Sequence, residues 1–157
     1  MAASIIDSSN KKFNFREIEI IRKYNNEILL IPCEPGKIQQ VFINILRNGA
    51  EAMKDTSGEG NGSKPRIILR ITPEHDAGMI RIEIKDNGPG IDQNICKHIF
   101  EPFFTTKPAG KGTGLGLSVS YFIITENHNG DMSVESAPGE GTKFIIRLPL
   151  ERKEHVL

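Results

Sequence analysis

A strand that ends in an acidic, glycine-rich turn constrains this chain more than any other segment. Residues 80–85 alternate between apolar and charged side chains, so their three isoleucines share one face of a predicted strand. Asp86 continues that face, which directs a carboxylate toward the apolar side of a sheet, where an unpaired charge is costly. The glycines that follow in residues 87–90 allow sharp bending and close approach. Taken alone, the segment is more often a turn that closes a strand, and the alternative is a buried acceptor for the N–H donors of a ligand.

Composition excludes several classes of function. The 157 residues, of which 38% are hydrophobic and 25% charged, predict one globular domain. Twenty basic residues balance twenty acidic ones, so no overall charge favours binding to nucleic acid or to a membrane. No apolar run reaches the roughly 20 residues that cross a bilayer, and the start lacks the pattern of a signal peptide. Cys33 and Cys96 lie far apart, which favours a reducing, cytoplasmic location over a metal or disulfide framework.

Hydrophobic periodicity predicts an α+β domain. Helices are expected from Pro35 to about Lys54, near residues 93–98 and from about Leu115 to Asn127. Strands are expected at residues 16–24, 27–31, 66–72, 79–85, 131–136 and 142–148; the first two form a hairpin through residues 25–26, and residues 55–65 form a solvated loop. Helices and strands do not alternate regularly, so we expect a mixed, mostly antiparallel sheet with helices on one face. Residues 1–14 are predicted to be a tail or a linker remnant, and residues 151–157 a second tail.

Two asparagines stand out in the first long helix. Asn44 and Asn48 are four residues apart, so they project from one side in adjacent turns. Asparagine is a poor residue for a helix interior because its amide competes for backbone hydrogen bonds. An amide oxygen is a suitable ligand for Mg²⁺, which also binds phosphates and waters; two solvated surface residues are the alternative. Glu51 extends the polar stripe, and Arg47 is placed either to reach a phosphate or to remain in solvent.

A glycine-rich segment, residues 110–117, precedes the last helix. Free N–H groups and the dipole at a helix start attract phosphate. The segment lacks the Gly-Lys-Ser/Thr ending of a P-loop, and no apolar strand leads directly into it as in a dinucleotide fingerprint. Lys107 and Lys111 flank it, and residues 100–104 supply three phenylalanines as anchors. This arrangement favours a mobile lid over a polyphosphate, and the alternative is an aromatic core cluster before a flexible loop.

A threonine lies on the apolar face of the last predicted strand. Thr142 shares that face with Phe144, Ile146 and Leu148, and a hydroxyl there needs a hydrogen-bond partner. It could bind one edge of a ligand together with Asp86, directly or through water. The commoner case is a threonine that hydrogen-bonds to its own backbone.

In this order, these segments resemble the ATP-binding catalytic domain of sensor histidine kinases, in the superfamily of gyrase, chaperone, histidine kinase and MutL ATP-binding domains. The resemblance covers about residues 15–150 and implies a Bergerat-type two-layer α/β sandwich. It rests on residues 44–52 (N box), 86–91 (G1 box), 99–107 (F box), 112–117 (G2 box) and the pair Gly141-Thr142. Gly49 departs from the pattern, because the family usually has alanine there.

The resemblance also implies a role for each matching residue. Asp86 accepts the adenine amino group, Thr142 supports the water network beside it, and Asn48 ligates Mg²⁺. Asn44 lies near the phosphates, and with Asn48 it forms the implied catalytic pair. The residues implied to shape the nucleotide pocket and its lid are Gly88, Gly90, Ile91, Thr106, Lys107, Gly112, Thr113, Gly114, Leu115, Gly116 and Leu117. The implied cofactors are ATP and Mg²⁺.

The site is better suited to transfer than to hydrolysis. In ATPases of the superfamily, the residue four positions before the metal-binding asparagine is a glutamate that activates water. Here that residue is Asn44, whose amide cannot take a proton at neutral pH. Phosphoryl transfer needs mostly positioning and charge neutralisation, which this set of residues can supply.

The phosphoacceptor is expected to lie outside this chain. None of the four histidines, at positions 75, 98, 128 and 155, lies in the helical hairpin that the family phosphorylates. The resemblance therefore implies transfer of the γ-phosphoryl group of ATP to a histidine on a separate dimerisation and phosphotransfer domain, with a response regulator downstream. We expect no nucleic acid, no membrane contact and a monomeric isolated domain. A nucleotide-binding module without transfer activity, and a serine kinase of the anti-sigma type, remain open as alternatives.

Overall fold

The computed structural model of this protein describes residues 17–24, 30–56 and 63–150. In chain order they form strand β1 (Glu19–Lys23), helix α1 (Pro35–Thr56), strands β2 (Arg66–Glu74) and β3 (Met79–Asp86), helices α2 (Gln93–Cys96) and α3 (Gly116–Phe122), and strands β4 (Asp131–Ser136) and β5 (Thr142–Pro149). A short 3-10 turn, His75–Ala77, joins β2 to β3. Helix α3 continues directly as a π-helical turn, Ile123–Asn127.

The strands form a mixed sheet. Within the described residues it has five strands in the order β1-β2-β3-β5-β4. The β1–β2 pair is parallel, whereas β2–β3, β3–β5 and β4–β5 are antiparallel. The predicted α+β fold, a two-layer sandwich with a mostly antiparallel sheet and helices on one face, is confirmed.

The structure corrects the predicted pairing of the first strand. Residues 16–24 and 27–31 were expected to form a hairpin, but β1 lies parallel to β2, with Glu19 opposite Arg66. Leu30 and Ile31 belong to no strand, and residues 25–29 lie outside the described part of the chain. The physical reason is that helix α1, between β1 and β2 in sequence, supplies the long crossover that a parallel pair requires.

The apolar core lies between the sheet and α1. Buried positions of α1 recur at helical spacing, and alternate residues of β2, β3 and β5 face them. These core residues are Ile38, Val41, Phe42, Ile45, Leu46 and Met53 from α1, and Ile67, Leu69, Ile80, Ile82, Ile84, Phe144, Ile146 and Leu148 from the strands. The same alternation places Asp86 and Thr142, which are both buried, on the core side of the sheet.

The opposite face of the sheet carries paired charges. The Glu83 carboxylate accepts a hydrogen bond of 2.8 Å from Arg81 and lies 3.5 Å from Arg70 Nε and 3.7 Å from Lys143 Nζ. Burial raises the pKa of Glu83, but the Arg81 hydrogen bond and the three positive charges outweigh that effect and leave the pKa lowered. The sheet therefore has one apolar face and one charged face, as its alternating sequence predicts.

The remaining expectations concern boundaries. The helix predicted over residues 115–127 is divided into α3 and the π-helical turn, and α1 extends to Thr56, into the predicted loop. Residues 57–62 of that loop, and both predicted tails (1–14 and 151–157), lie outside the described residues. Among the residues that are described, no helix combines the length and apolarity needed to span a bilayer.

Candidate functional site

The site is built around Asp86, the last residue of β3. Its side chain is buried, and Oδ1 accepts hydrogen bonds from the backbone N–H groups of Gly88 (2.9 Å) and Thr142 (3.2 Å). Oδ2 makes no hydrogen bond to any described residue, so it is available to a ligand donor. Burial raises the pKa of Asp86, and the two backbone hydrogen bonds partly offset this shift. The predicted inward-facing carboxylate is therefore present, with one oxygen fixed by the fold and one open.

Gly49 of α1 lies against this carboxylate. A Cβ atom added at Gly49 would be 3.3 Å from Asp86 Oδ2 and 3.4 Å from Asp86 Cβ. That contact is tight, so alanine here would require the carboxylate to shift by a few tenths of an ångström. The departure from the family pattern thus bears directly on the key acid, in addition to the roughly 1 kcal/mol by which glycine weakens a helix.

A hydroxyl network joins Asp86 to the β4–β5 turn. The Thr142 hydroxyl lies 2.9 Å from Ser136 Oγ, which donates to the Gly141 carbonyl at 2.8 Å and accepts from the Ile91 N–H at 2.8 Å. Because the single hydroxyl proton of Ser136 goes to Gly141, Thr142 donates to Ser136, and its own oxygen stays open to accept. Thr142 therefore does not spend its hydroxyl on its own backbone.

Ser136 is a site residue that the sequence reasoning missed. It ends β4 directly opposite Thr142 in the antiparallel ladder, and its backbone carbonyl also accepts from the Gln93 side chain at 2.5 Å. The alternation of β4 could have indicated it, since Met132, Val134 and Ser136 share one face.

Two glycines allow the turns around Asp86 to meet backbone to backbone. Gly90 and Gly141 have positive φ angles of 74° and 76°. A Cβ at Gly90 would lie 1.9 Å from the Ala137 carbonyl oxygen, and one at Gly141 would lie 2.1 Å from that of Asp86. Neither position can accept a side chain without moving the backbone. The predicted pocket-shaping role is thus physically consistent for Gly90, and Gly141 joins it.

The two asparagines of α1 differ in their environment. The Asn44 amide donates to the Gly116 carbonyl (3.1 Å) and to Ser120 Oγ (3.1 Å), which ties the middle of α1 to the start of α3. Asn48 is half-buried and makes no side-chain hydrogen bond within the described residues. Asn44 therefore has a structural role that the sequence did not reveal, whereas the amide oxygen of Asn48 is open to a ligand.

The predicted lid has a stem and a tip. Its stem consists of residues 103–107 and 112–114, which lie side by side: the Phe103 N–H donates to the Gly114 carbonyl at 2.9 Å. A Cβ at Gly112 would lie 3.0 Å from Thr105 Oγ1 and 3.1 Å from Lys107 Cδ. Its tip, residues 108–111, is a turn closed by a hydrogen bond of 3.0 Å from the N–H of residue 111 to the carbonyl of residue 108.

The charged and polar side chains of the lid differ in the contacts that they make. The Lys107 ammonium pairs with the Glu51 carboxylate on α1, one helical turn after Asn48. Lys111 is exposed, and no ion pair of the described residues involves it. Thr106 is exposed and contacts no other predicted site residue through a hydrogen bond among those described. The structure therefore brings Lys107, but not Lys111 or Thr106, to the asparagine-bearing helix.

The end of the lid leads into α3. Thr113 Oγ1 accepts from the Leu115 N–H at 3.3 Å, a local turn at the lid's end. Leu115 and Gly116 are half-buried where α3 begins, and Leu117 packs against the core.

The three phenylalanines of residues 100–104 differ in their burial. The Phe100 ring packs 5.0 Å from that of Tyr121 and 6.5 Å from that of Phe144. Phe104 packs against the core, but Phe103 is 74% exposed and has a positive φ of 65°. The alternative interpretation, in which Phe103 belongs to an aromatic core cluster, is therefore wrong, because its ring is exposed.

The chain is similar to known proteins over most of its length. Residues 33–152 match a family described as histidine kinase-, DNA gyrase B- and HSP90-like ATPase. The chain is 40% identical over 147 residues to sporulation kinase E of Bacillus subtilis, which covers 94% of this chain and 18% of that protein. It is 40% identical over 133 residues to signal transduction histidine-protein kinase AtoS of Escherichia coli, covering 85% of this chain and 20% of that protein. The chain thus spans about a fifth of the length of these curated relatives.

A solved structure extends the likeness to three dimensions. The nucleotide-free catalytic domain of histidine kinase ThkA superposes with a TM-score of 0.76 at 28% identity. The superposition covers 94% of this chain and 89% of that one.

Proposed function

Because this chain belongs to the family of histidine kinase-, DNA gyrase B- and HSP90-like ATPases, we propose that it binds ATP with Mg²⁺ and transfers the γ-phosphoryl group to a histidine. The histidine belongs to a separate dimerisation and phosphotransfer domain, and a response regulator receives the group afterwards. We propose residues 15–150 as the catalytic domain and a cytoplasmic location for it, which the use of ATP supports. The observation that carries the proposal is the buried Asp86 carboxylate, whose Oδ1 is fixed by Gly88 and Thr142 while Oδ2 makes no hydrogen bond within the described residues.

Asp86 and Thr142 select adenine in this proposal. The exocyclic amine of adenine is a donor, and the charged form of a buried carboxylate is a strong acceptor for it. Thr142 accepts from a water or from the base edge next to that amine. A Cβ at Gly88 would lie 3.0 Å from Asp86 Oδ1, so a side chain there would crowd the carboxylate, and Gly90 is needed for the turn that follows it.

Mg²⁺ fits the donors that are present. The described residues contain no cluster of three His, Cys, Asp or Glu side chains that could hold a metal alone. Mg²⁺ usually binds through one or two protein oxygens plus phosphates and waters, so the open amide oxygen of Asn48 suffices as the protein ligand. When bound, the ion neutralises charge on the triphosphate. Asn44 orients the start of α3 beside the phosphates through its bonds to Gly116 and Ser120.

Among the residues described around Asn48 on α1, none is a free base, which favours transfer over hydrolysis. Asn44 cannot accept a proton, and Glu51, the nearest carboxylate on α1, is neutralised by Lys107. An attacking group must therefore bring its own base or nucleophile. Gly112 and Gly114 of the lid carry no side chains that would block an approach, so we propose their backbone N–H groups as contacts for phosphate oxygens.

The histidines with described surroundings support an acceptor elsewhere. His128 is buried with both ring nitrogens engaged, by the Glu34 N–H at 3.0 Å and the Ile123 carbonyl at 2.7 Å. His98 pairs with Glu101 in the F box, and His75 lies in the β2–β3 turn. None of these three lies in a helix that could present it to the site of an ATP bound at Asp86.

Exposed apolar side chains supply a surface for the acceptor domain. Phe103 is 74% exposed, and Phe122, Tyr121 and Val119 of α3 are 57%, 39% and 36% exposed. A bulky residue with positive φ stores roughly 1–3 kcal/mol of backbone strain, which is expected where function requires an outward ring. An amphipathic helix of the acceptor hairpin could cover these side chains when it presents its histidine.

A transfer assay tests the proposal. The protein is incubated with γ-labelled ATP, Mg²⁺ and the histidine-bearing helical hairpin of its parent kinase. We expect label on the hairpin that is lost in acid and retained in alkali, with little free phosphate, and no label with Asp86→Ala. Steady phosphate release without transfer would contradict the proposal, as would an acid-stable label, which indicates a serine kinase.

A further inference from the structure

One ion pair joins the lid to the asparagine-bearing helix. The Glu51 carboxylate of α1 contacts the Lys107 ammonium of the lid stem, across 56 residues of sequence. The side chains of Lys107 and Glu51 are 37% and 45% exposed. Glu51 lies three residues after Asn48, so it shares one stripe of α1 with both Asn44 and Asn48.

An acid in this position is unexpected beside a polyanion. Unit charges of the same sign a few ångströms apart repel each other by about 1 kcal/mol even in water, and by more near a protein surface. An unpaired Glu51 would therefore oppose a triphosphate held at Asn48. Lys107 removes that repulsion, because the pair is neutral as a unit.

Lys107 is also the point at which the two sides of the lid stem meet. Its backbone N–H donates to Thr105 Oγ1 at 3.1 Å, which turns the chain sharply. A Cβ at Gly112, on the other side of the stem, would lie 3.1 Å from Lys107 Cδ and 3.3 Å from Lys107 Cβ. Fixing the Lys107 side chain to α1 therefore fixes both sides of the stem relative to Asn48.

We propose that Glu51 is a positioning residue for the polyphosphate: it holds Lys107, and through Lys107 the lid stem, one helical turn from Asn48. This inference rests on the proposed function and deepens it, because it assigns Glu51, an acid on the same stripe of α1 as the asparagines, a task in phosphate binding. Glu51 itself does not touch the nucleotide. Its favourable effect passes through Lys107, so removing it weakens binding only while Lys107 is present.

A double-mutant cycle tests the inference. Glu51→Gln, Lys107→Gln and the double variant are titrated by calorimetry with Mg²⁺ plus a non-hydrolysable ATP analogue, and separately with adenosine. We expect Glu51→Gln to weaken analogue binding about two- to fivefold, the range for a half-exposed ion pair, and to leave adenosine binding unchanged. In the Lys107→Gln background, the same change should cause no further loss. Adenosine binding also confirms that each variant is folded.

The controls separate this inference from the proposed function. Glu135→Gln removes a comparable exposed pair, with Lys143, on the β4 edge of the sheet and should change neither titration. Equal losses from Glu51→Gln in both backgrounds, or no loss in either, would overturn the positioning role while ATP binding by the unmodified protein still stands. Failure of the unmodified protein to bind ATP at all would overturn both.

Discussion

At Asp86, folding and binding make opposite demands on one carboxylate. Its pKa is raised from an ordinary value of 3.8, mainly by burial. A raised pKa means that the folded state favours the protonated acid. The contribution of Asp86 to stability is therefore largest below its ordinary pKa and is lost as the pH rises through its pKa in the folded state. The charged form of Asp86 therefore weakens the fold, and the ligand's donor gains from that same charge.

Asn48 leads to a prediction about metal dependence. Asn48→Ala removes an open amide oxygen, so it should weaken ATP binding in the presence of Mg²⁺ by at least about tenfold. This is the effect expected from the loss of one contact between a polar group and a charged partner. Metal-free ADP binding should change much less. Calorimetry with and without Mg²⁺ measures both, and Asn94→Ala, on α2, is a matched asparagine control. Equal losses in the two conditions would argue against a metal-binding role.

At single residues, the sequence predicted the direction of a side chain but not its hydrogen-bond partners. The alternation of residues 80–86 correctly predicted which way Asp86 faces, because side-chain direction in a strand is a local property. It could not predict that Oδ1 is occupied by Gly88 and Thr142 while Oδ2 is open, since that division depends on a strand 56 residues away. The role of Ser136 and the tie from Asn44 to Ser120 depend on packing in the same way.

Among the elements, the charged face of the sheet yields a stability prediction. Glu83 faces Arg81, Arg70 and Lys143, and its pKa is lowered, so its contribution to stability is present above the ordinary pKa of 4.5 and is lost as the pH falls through the folded pKa. Glu83→Gln should therefore destabilise the protein by about 1–2 kcal/mol at neutral pH.

Urea unfolding as a function of pH measures this effect. The difference between Glu83→Gln and the unmodified protein should shrink in acid, whereas Glu140→Gln, in the exposed β4–β5 turn, should behave as the unmodified protein. A difference that is constant across the pH range would refute the assigned cause.

The lid gives a prediction about hydrogen exchange. Its tip, residues 108–111, is closed by a single backbone hydrogen bond and contains one glycine with a positive φ of 83°. Without nucleotide, the amides of the tip should exchange rapidly with solvent, and ATP with Mg²⁺ should slow them. Amides of β5, an inner strand that is paired on both sides, serve as the protected reference in both states. Strong protection of the tip before nucleotide is added would contradict this picture.

Elements differ in how well the sequence predicted them. Helix α1 and strands β2 to β5 follow regular apolar periods, and their predicted bounds lie within two residues of those observed. The pairing of β1 was missed because it depends on a crossover rather than on a local turn. The π-helical turn was also missed, because it depends on contacts with residues beyond the helix. The Ile123 carbonyl accepts a hydrogen bond from the His128 ring, and the Ile124 carbonyl accepts one of 2.9 Å from the Gly130 N–H.

In the whole molecule, the site exists only where distant segments meet. Asp86, Thr142 and Gly49 come from β3, β5 and α1, and they converge because the core between sheet and helix brings these elements together. Motif order allowed the family to be inferred from sequence, but not the Lys107–Glu51 contact. Phe103 and Phe122 are exposed, and we propose that an acceptor domain covers them.

The central claim is that the open oxygen of Asp86 selects adenine. Titration calorimetry with ATP and GTP, in Mg²⁺, on the unmodified protein and on Asp86→Asn tests it most directly. Guanine presents a carbonyl where adenine presents an amine, so ATP should bind at least about tenfold more tightly than GTP. Asp86→Asn should lose that preference and most of its ATP affinity while its thermal stability at neutral pH is unchanged or higher. Equal affinity for ATP and GTP, or full ATP affinity in Asp86→Asn, would contradict the claim.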